Sequence, residues 1–359
     1  MNLILWLFFV SFCLLLLFST EPLDYGAYTH SSTKSLYLSR TVTDVRCFHV
    51  YHHDLLVEIS MGHESYRLVQ TSSRGDLMDF IYSHTSPFQW AVNLDHTLLI
   101  LYVDSKNNHP QDDSIPKIIL FRKRDGIWYR VRDYAVHIES PVTLSVGTHH
   151  IIISHKRGLL TLSRTNQYEL KSSIMSRVQI DFRMDALSLC ENTDCFVVAT
   201  PYFKQTDGIV DVYHYSGNLE SLEHVQALLP PVRAGYFGGQ YSVIQRGHKT
   251  VLVVSAFFAN QGVGEVFLYE LEDCGTFSLQ QRLTSRNTTN FGLSCSVSSD
   301  GVWLAISDRS TLYIYNYRDG AYHFIYATSE GGSPLSMSAT GTLYWIRNHT
   351  LLYRSIQTS

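Results

Sequence analysis

Apolar and polar positions alternate along residues 291–317, which read FGLSCSVSSDGVWLAISDRSTLYIYNY. The period is two, as expected when successive side chains of a β-strand point to opposite faces of a sheet. The alternation breaks at Asp300-Gly301 and again near Asp308, where turn-forming residues cluster. The segment therefore predicts three short antiparallel strands in close succession.

This arrangement recurs along the chain. Phe237-Gly238 and Phe291-Gly292 begin the two best-matched copies, and weaker copies cover residues 47–72, 88–131, 142–170, 184–222 and 334–356. Each unit is about 45 residues long and has room for four strands, which are the period and strand number of a β-propeller blade. The sequence therefore predicts an all-β fold, a single seven-bladed β-propeller of four-stranded antiparallel blades.

The last unit differs from the others because it has room for only three strands. A further alternating segment, residues 35–42 (SLYLSRTV), lies near the N-terminus outside any unit. We expect this segment to pair with the last blade as its outermost strand and so to close the ring. The predicted organisation is a leader at 1–20, a linker at 21–34 and the propeller at 35–359.

The charge of the chain bears on which classes of partner it can bind. Charged residues make up 17% of the chain, the net charge is −4, and no cluster of Lys and Arg stands out. Nucleic acid and an anionic membrane surface are both recognised mainly by clustered positive charge. The sequence therefore predicts no nucleic-acid partner.

The N-terminal residues 3–19 are apolar apart from two serines. Such a stretch has the length of the apolar region of a signal peptide or of a short membrane span. We favour a cleaved signal peptide over an uncleaved signal anchor. Either one would export the rest of the chain, which would be secreted or held by an N-terminal membrane anchor outside the cytoplasm.

In an exported chain, cysteines can form disulfides and asparagines can be glycosylated. Cys190 and Cys195 flank a four-residue turn between two apolar runs. We expect a disulfide between them, and the alternative is two unpaired buried thiols. Asn287 and Asn348 each begin an Asn-x-Thr triplet and are candidate glycosylation sites, unless both triplets occur by chance.

The two Phe-Gly copies resemble FG-GAP repeats, the blades of integrin α-chain propellers. The SAF triplet at 255–257 lies where that family has Gly-Ala-Pro, and the LYIY run at 312–315 matches its Val-Tyr-Val-Tyr strand. Integrin blades carry a D-x-D-x-D-G calcium loop, whereas SDG at 299–301 offers a single carboxylate, too few for Ca²⁺. The resemblance therefore implies the calcium-free type of repeat, with no metal and no cofactor.

Candidate binding residues come from the loops between the second and third strands of a unit, which are long in the second, fourth and fifth units. The candidates in or beside these loops are Tyr202, Phe203, Phe257, Phe258, Asn260, Asp104 and Asp112. Aromatic side chains among polar residues are typical of an interaction surface. The alternative is that these rings pack between blades.

Four motifs of common enzyme classes, G-x-S-x-G, the Walker loop, G-x-G-x-x-G and H-E-x-x-H, do not occur in the sequence, which favours a protein that is not an enzyme. We therefore expect an extracellular or membrane-associated recognition module that binds a protein or glycan partner through loops on one face. Two alternatives stay open. One is a propeller enzyme, a hydrolase or lyase with its site at the central channel, and the other is a structural or envelope glycoprotein.

Overall fold

A computed structural model of the protein describes most of the chain from residue 28 onward. The described residues are 28–30, 34–35, 44–51, 54–61, 65–72, 77–85, 88–93, 97–104, 115–136, 138, 142–146, 150–155, 158–163, 169–171, 194–200, 207–216, 221–231, 235–247, 249–272, 275–285, 288–333, 335–338, 341–347 and 350–358. Within these ranges the regular elements are β-strands, apart from one short helical turn, α1 (Ala259–Gly262).

The described strands form seven antiparallel sheets, numbered here in chain order. The first sheet contains β3 (Asp44–Tyr51), β4 (Asp54–Ser60), β5 (Tyr66–Ser72) and β6 (Leu77–His84). The second contains β7 (Gln89–Val92), β8 (Leu98–Val103), β9 (Lys117–Arg124) and β10 (Ile127–Ala135). The third contains β11 (Thr143–Val146), β12 (His150–His155), β13 (Gly158–Ser163) and β14 (Glu169–Lys171).

The remaining four sheets follow the same order. The fourth contains β15 (Asp194–Thr200), β16 (Ile209–Ser216) and β17 (Ser221–Leu228). The fifth contains β18 (Tyr241–Arg246), β19 (Lys249–Ala256), β20 (Glu265–Leu271) and β21 (Phe277–Thr284). The sixth contains β22 (Ser294–Val297), β23 (Trp303–Ser307), β24 (Leu312–Arg318) and β25 (Ala321–Thr328). The seventh contains β26 (Leu335–Met337), β27 (Thr342–Arg347) and β28 (Thr350–Thr358), to which β1 (Tyr28–His30) and β2 (Lys34–Ser35) add.

Each sheet is laid down by consecutive strands that pair in sequence order, and five of the seven sheets have four strands. Second strands such as β8 and β23 are buried along their whole length, whereas the outer strand β10 is largely exposed and the outer strand β25 is partly exposed. A strand that is buried on both faces is expected to be continuously apolar, as LLILYV in β8 is. The all-β prediction with four-stranded antiparallel units is therefore confirmed.

A β-bulge interrupts the pairing between the last two described strands of five sheets. The register shifts in β5–β6, β9–β10, β16–β17, β20–β21 and β24–β25. A bulge increases the local twist and bends the outer strand, which makes an edge less suited to pairing with another chain. The recurrence shows that the repeat extends to the irregularities of the sheets as well as to their strands.

The hydrophobic core is divided into clusters that lie between neighbouring sheets. Five of these clusters join the first sheet to the second, the second to the third, the fourth to the fifth, the fifth to the sixth and the sixth to the seventh. A sixth cluster joins the last sheet to the first, where Tyr344 and Leu351 pack with Leu55 and Val57. Each sheet therefore buries its apolar faces against its neighbours rather than against a single central core.

The two ends of the chain meet in the seventh sheet. Tyr28 pairs with Thr358 in β1–β28, and Lys34 pairs with Tyr353 in β2–β28. The sequence predicted this pairing for residues 35–42, but only Ser35 of that segment belongs to β2, and residues 36–42 lie outside the described residues. Residues 28–30, which lie in the predicted linker, form the strand β1 at the edge that β28 offers.

Candidate functional site

Two junctions between sheets share one geometry, and they support the loop described below. Phe237 and Phe291 are fully buried, and the Phe291 N–H donates to the Val263 carbonyl at 2.9 Å, as the Phe237 N–H does to Asp207 at 3.3 Å. The Phe291 backbone passes so close to Gly264 that a Cβ there would lie 2.1 Å from the Phe291 carbonyl oxygen. Only glycine fits this approach, and Gly264 also has φ +89°.

The loop that joins β19 to β20, residues 257–264, has an unusual backbone. Asn260 and Gln261 have φ of 50° and 60°, and Gly262 follows with φ 90°. A left-handed conformation costs roughly 1–2 kcal/mol for a residue other than glycine, although Asn tolerates it better than most. Strain of this kind persists where the surroundings enforce it, and it concentrates at functional sites.

Asn290, which precedes the buried Phe291, holds the base of this loop. Its backbone N–H donates to the Gly262 carbonyl at 2.7 Å, and its side-chain amide donates to the Phe257 carbonyl at 3.4 Å. Inside the loop, the Phe258 carbonyl accepts from Gly262 at 3.1 Å. The left-handed turn is thus fixed from the neighbouring junction.

Three aromatic rings cover the loop. Tyr236 and Phe257 stack at 5.3 Å between ring centroids with 16° between their planes, and Phe258 lies 5.2 Å from Tyr236 and 5.0 Å from Phe257. Glycines make room for these rings, since a Cβ on Gly239 would lie 2.4 Å from Phe257. Phe257 is half-buried, whereas 44% of Phe258 is exposed. We call Tyr236 and residues 257–264 the aromatic loop.

A buried carboxylate lies beneath the aromatic loop. Glu265 is fully buried, and its Oε1 accepts hydrogen bonds from the Asn260 side-chain amide and from the Arg282 guanidinium. Its other oxygen, Oε2, is buried without a hydrogen-bond partner. A buried charge needs partners to offset its desolvation, so Glu265 depends on Asn260 and Arg282. The contact ties the exposed Asn260 to the body of the fifth sheet.

The structure brings three of the predicted binding residues together: Phe257, Phe258 and Asn260 lie in the aromatic loop. Asp104 follows β8 in the second sheet, so it belongs to a different sheet. Tyr202, Phe203 and Asp112 lie outside the described residues. The single continuous patch expected from all three long loops therefore stays a prediction.

Sequence reasoning missed Tyr236, the third ring of the cluster. The available signal was its position directly before Phe237-Gly238, the start of a repeat unit. The equivalent residue at the next junction is Asn290, and both have positive φ, 63° and 64°. Tyr236 thus contributes its ring where Asn290 contributes its amide.

The cysteine and asparagine predictions fall largely on residues outside the described ranges. Cys195 lies in β15, but Cys190, Asn287 and Asn348 are not described. The disulfide and the two glycosylation sites stay predictions. Cys295 is a free, buried thiol, and burial raises its pKa to about 12.

Neither a metal centre nor a membrane span is found in the described part of the chain. Within those ranges, no three His, Cys, Asp or Glu side chains are grouped as a metal site would require. The same ranges contain no helix of the length and apolar character needed to cross a membrane.

Comparison with known proteins identifies the fold. No family model matches the chain, and no curated protein matches it. The crystal structure of RRP9 WD40 repeats aligns with a TM-score of 0.59 at 13% identity, over 92% of this chain and all of that one. The Myceliophteria thermophila Cps50 (Swd1) β-propeller domain aligns with a TM-score of 0.57 at 12% identity, over 91% of this chain and all of that one.

A third structure, a functionally unknown protein from Desulfotomaculum acetoxidans, aligns with a TM-score of 0.56 at 11% identity, over 83% of this chain and 89% of that one. At these identities the similarity concerns the fold alone. Together with the antiparallel sheets, it shows a β-propeller fold of the kind found in WD40-repeat proteins. The resemblance to FG-GAP repeats is not supported. No family model matches the chain, and the one similar structure whose name gives a repeat type consists of WD40 repeats.

Proposed function

We propose that this β-propeller is a recognition module that binds a protein partner through the aromatic loop. The observation that carries the proposal is Phe258, an aromatic ring that is 44% exposed although it packs on two other rings. Exposure alone is ordinary for a single apolar side chain, so what distinguishes Phe258 is that two other rings hold it rigidly at the surface. Aromatic side chains held rigidly at a surface are the residues that most often anchor protein–protein contacts.

Three features make the aromatic loop suited to binding. Its backbone is already fixed by Asn290 and by the contact between Asn260 and Glu265, so little order has to be gained when a partner binds. Asn260 and Gln261 place amide groups beside the rings. Rings for apolar contact and amides for hydrogen bonds together match the usual composition of a binding surface.

The proposal includes a closed ring of seven blades. Its support is the cluster between the last sheet and the first, together with the pairing of β1 and β2 with β28. In such a ring each loop between a second and a third strand opens on the same face. The loops of the second and fourth sheets would then flank or share the face that carries the aromatic loop.

We also propose that the chain is exported, as the apolar leader at 3–19 implies. Expression of the full chain with a C-terminal tag in secretory cells tests this directly. Glycosidase treatment should increase its gel mobility, and Asn287→Gln and Asn348→Gln should each remove one step of the shift. Export with no shift would leave the triplets unused, whereas a chain that stays in the cytosol would overturn the proposed location.

A cross-linking experiment tests the binding site. A photo-crosslinking phenylalanine analogue is placed at Phe258, or at Phe324 in β25, which is similarly exposed at 50%. In cells that make the protein, adducts with a defined partner should form from position 258 and not from position 324. In a binding assay with that partner, Phe258→Ala should weaken binding by at least about 2 kcal/mol, and Phe324→Ala should leave it unchanged.

The same experiment distinguishes the alternatives. Equal adducts from both positions would mean that Phe258 has no special role, and the aromatic loop would not be the binding site. Adducts whose mass disappears after glycosidase treatment would identify a glycan as the ligand in place of a protein. The thermal stability of each variant, measured in parallel, separates lost binding from lost fold.

A further inference from the structure

The outer hairpin of the second sheet, β9–β10, has a charge unlike that of the rest of the chain. Residues 117–135 contain six cationic side chains, Lys117, Arg122, Lys123, Arg124, Arg130 and Arg132, and two carboxylates, Asp125 and Asp133, a net of +4 in a chain of net −4. The corresponding hairpin of the fifth sheet, residues 265–284, has four carboxylates and one arginine, a net of −3. We call residues 117–135 the basic hairpin.

One face of the basic hairpin also exposes apolar side chains. Ile127 is 49% exposed and Tyr129 is 50% exposed. The register pairs Ile127 with Arg124 and Tyr129 with Arg122, so each apolar residue lies beside an arginine on the same face. Both arginines are exposed as well. The result is a surface on which two cations border two large apolar side chains.

Two of the other cations of this hairpin have partners within the hairpin. Arg130 forms an ion pair with Asp133 on the same strand, and Lys123 lies 5.6 Å above the Trp128 ring. In the described part of the chain, neither Arg122 nor Arg124 has an ion-pair partner. These two guanidinium groups are therefore available to a ligand, and each can bind a carboxylate with two parallel hydrogen bonds.

Trp128 anchors the basic hairpin to the first sheet. Its indole Nε1 donates to Gln70 Oε1 at 2.9 Å in a buried contact, and its backbone N–H lies 3.5 Å from Asp79 Oδ2. The first contact holds the exposed face in place. The second occupies part of the open edge of β10, so a partner has less reason to add a strand at that edge than to lie across the exposed face.

We infer that the face formed by Arg122, Arg124, Ile127 and Tyr129 binds an acidic segment of a partner protein. Carboxylates of the segment would bind the two arginines, and apolar side chains between those carboxylates would cover Ile127 and Tyr129. Nucleic acid fits less well, because its affinity grows with the number of phosphates contacted and this face presents only two arginines. The site lies in the second sheet and does not depend on the aromatic loop.

A peptide-binding experiment with the full chain tests the inference. The probe is a short fluorescein-labelled peptide in which glutamate alternates with leucine, and its counterpart has lysine in place of glutamate. Fluorescence anisotropy should show that the wild-type protein binds the glutamate peptide and not the lysine peptide. The R122E/R124E variant should bind the glutamate peptide at least about tenfold more weakly and should bind the lysine peptide instead.

Matched variants control for general charge and hydrophobicity. Arg309, exposed in the sixth sheet, and Phe324, exposed on β25, lie outside the proposed face, so R309E and F324S should bind the glutamate peptide as the wild type does. Equal binding by wild type and R122E/R124E would overturn the inference. So would binding of duplex DNA or phosphatidylserine vesicles in preference to the peptide. Because both arginines are exposed, the double variant should keep the wild-type melting temperature.

Discussion

Two loops with the same place in their sheets are built in opposite ways. Residues 257–264 join the second and third strands of the fifth sheet, and residues 308–311 do so in the sixth. In the shorter loop, Asp308 Oδ1 accepts from the Ser310 N–H at 2.7 Å and the Thr311 N–H at 2.6 Å, and Oδ2 accepts from the Tyr313 hydroxyl at 3.1 Å. One carboxylate thus accepts three of the hydrogen bonds that hold this turn.

In the longer loop, no side chain plays the part that Asp308 plays in the shorter one. The longer loop contains two non-glycine residues in the left-handed region, and it is fixed from outside by Asn290 and Glu265. It also leaves Phe258 exposed. A turn that only reverses the chain can be made by one well-placed Asp, so the extra length, strain and aromatic rings of the fifth-sheet loop point to a role beyond folding.

The largest effect is expected at the end of the longer loop. Gly264→Ala should destabilise the protein by at least about 3 kcal/mol, because a methyl group meets the Phe291 carbonyl oxygen and the backbone is left-handed. Urea denaturation measures the change. Gly262→Ala is the matched control: its φ is +90°, but a Cβ there meets nothing within 4 Å, so only about 1 kcal/mol should be lost. Equal losses would show that contact with the junction does not matter.

The shorter loop should depend on its single carboxylate. Asp308→Ala should lower the free energy of unfolding by about 2 kcal/mol. Asp308 is buried, with 3% of its surface exposed, and its loss leaves two backbone N–H groups and the Tyr313 hydroxyl without an acceptor. Asn260→Gly in the longer loop should cost less than about 1 kcal/mol, because Arg282 still binds Glu265 and glycine accepts the left-handed backbone. A larger loss for Asn260→Gly would reverse the comparison.

Alkaline pH should affect the sixth sheet through Tyr322. Burial raises its pKa from 10.0 to about 12, while Arg246 acts in the opposite direction. Its hydroxyl donates to the Gly301 carbonyl at 2.7 Å. The folded protein favours the neutral phenol, so this contribution is complete below about pH 10 and is lost as pH rises through about 12.

The expected decrease in unfolding free energy from Tyr322 is about 1–2 kcal/mol between pH 9 and pH 12. Tyr322→Phe should flatten the pH dependence in this window while costing about 1 kcal/mol at pH 7. Denaturant titration at each pH provides the measurement. An unchanged pH profile in the variant would assign the alkaline loss to other buried tyrosines, such as Tyr344.

The smallest effect should be a gain. Gln261→Gly removes a left-handed strain of roughly 1 kcal/mol and loses part of that gain to the greater freedom of glycine in the unfolded chain. We expect stabilisation of about 0.5 kcal/mol and a melting temperature raised by a degree or two. If binding through Phe258 requires the rigid turn, the same variant should bind the partner more weakly. A destabilised variant would show that the Gln261 side chain has a structural role.

The sequence predicts the strands well because they are short, alternating and separated by turn residues. The loop residues Phe257, Phe258 and Asn260 follow from loop length and residue type. The statement that no cluster of Lys and Arg stands out was wrong for the basic hairpin, which carries three consecutive cations at 122–124. What the sequence does not give is the exposed face, because only the register brings Arg122 and Arg124 beside Tyr129 and Ile127. The left-handed turn at residues 260–262 could not be predicted from the sequence either, because it depends on a contact with Asn290, which is distant in sequence.

The pairing of β1 with β28 sets an order of events during protein synthesis. Tyr28 pairs with Thr358, so roughly 330 residues must be added before the first strand meets its partner. At about 5–20 residues per second, this takes roughly 15–65 s, during which the early sheets exist without the last one. A chain that stops before β28 would keep the open edge of β27 for as long as it survives. Such truncated products should be the ones that quality-control chaperones bind, because unpaired strand edges invite association with other chains.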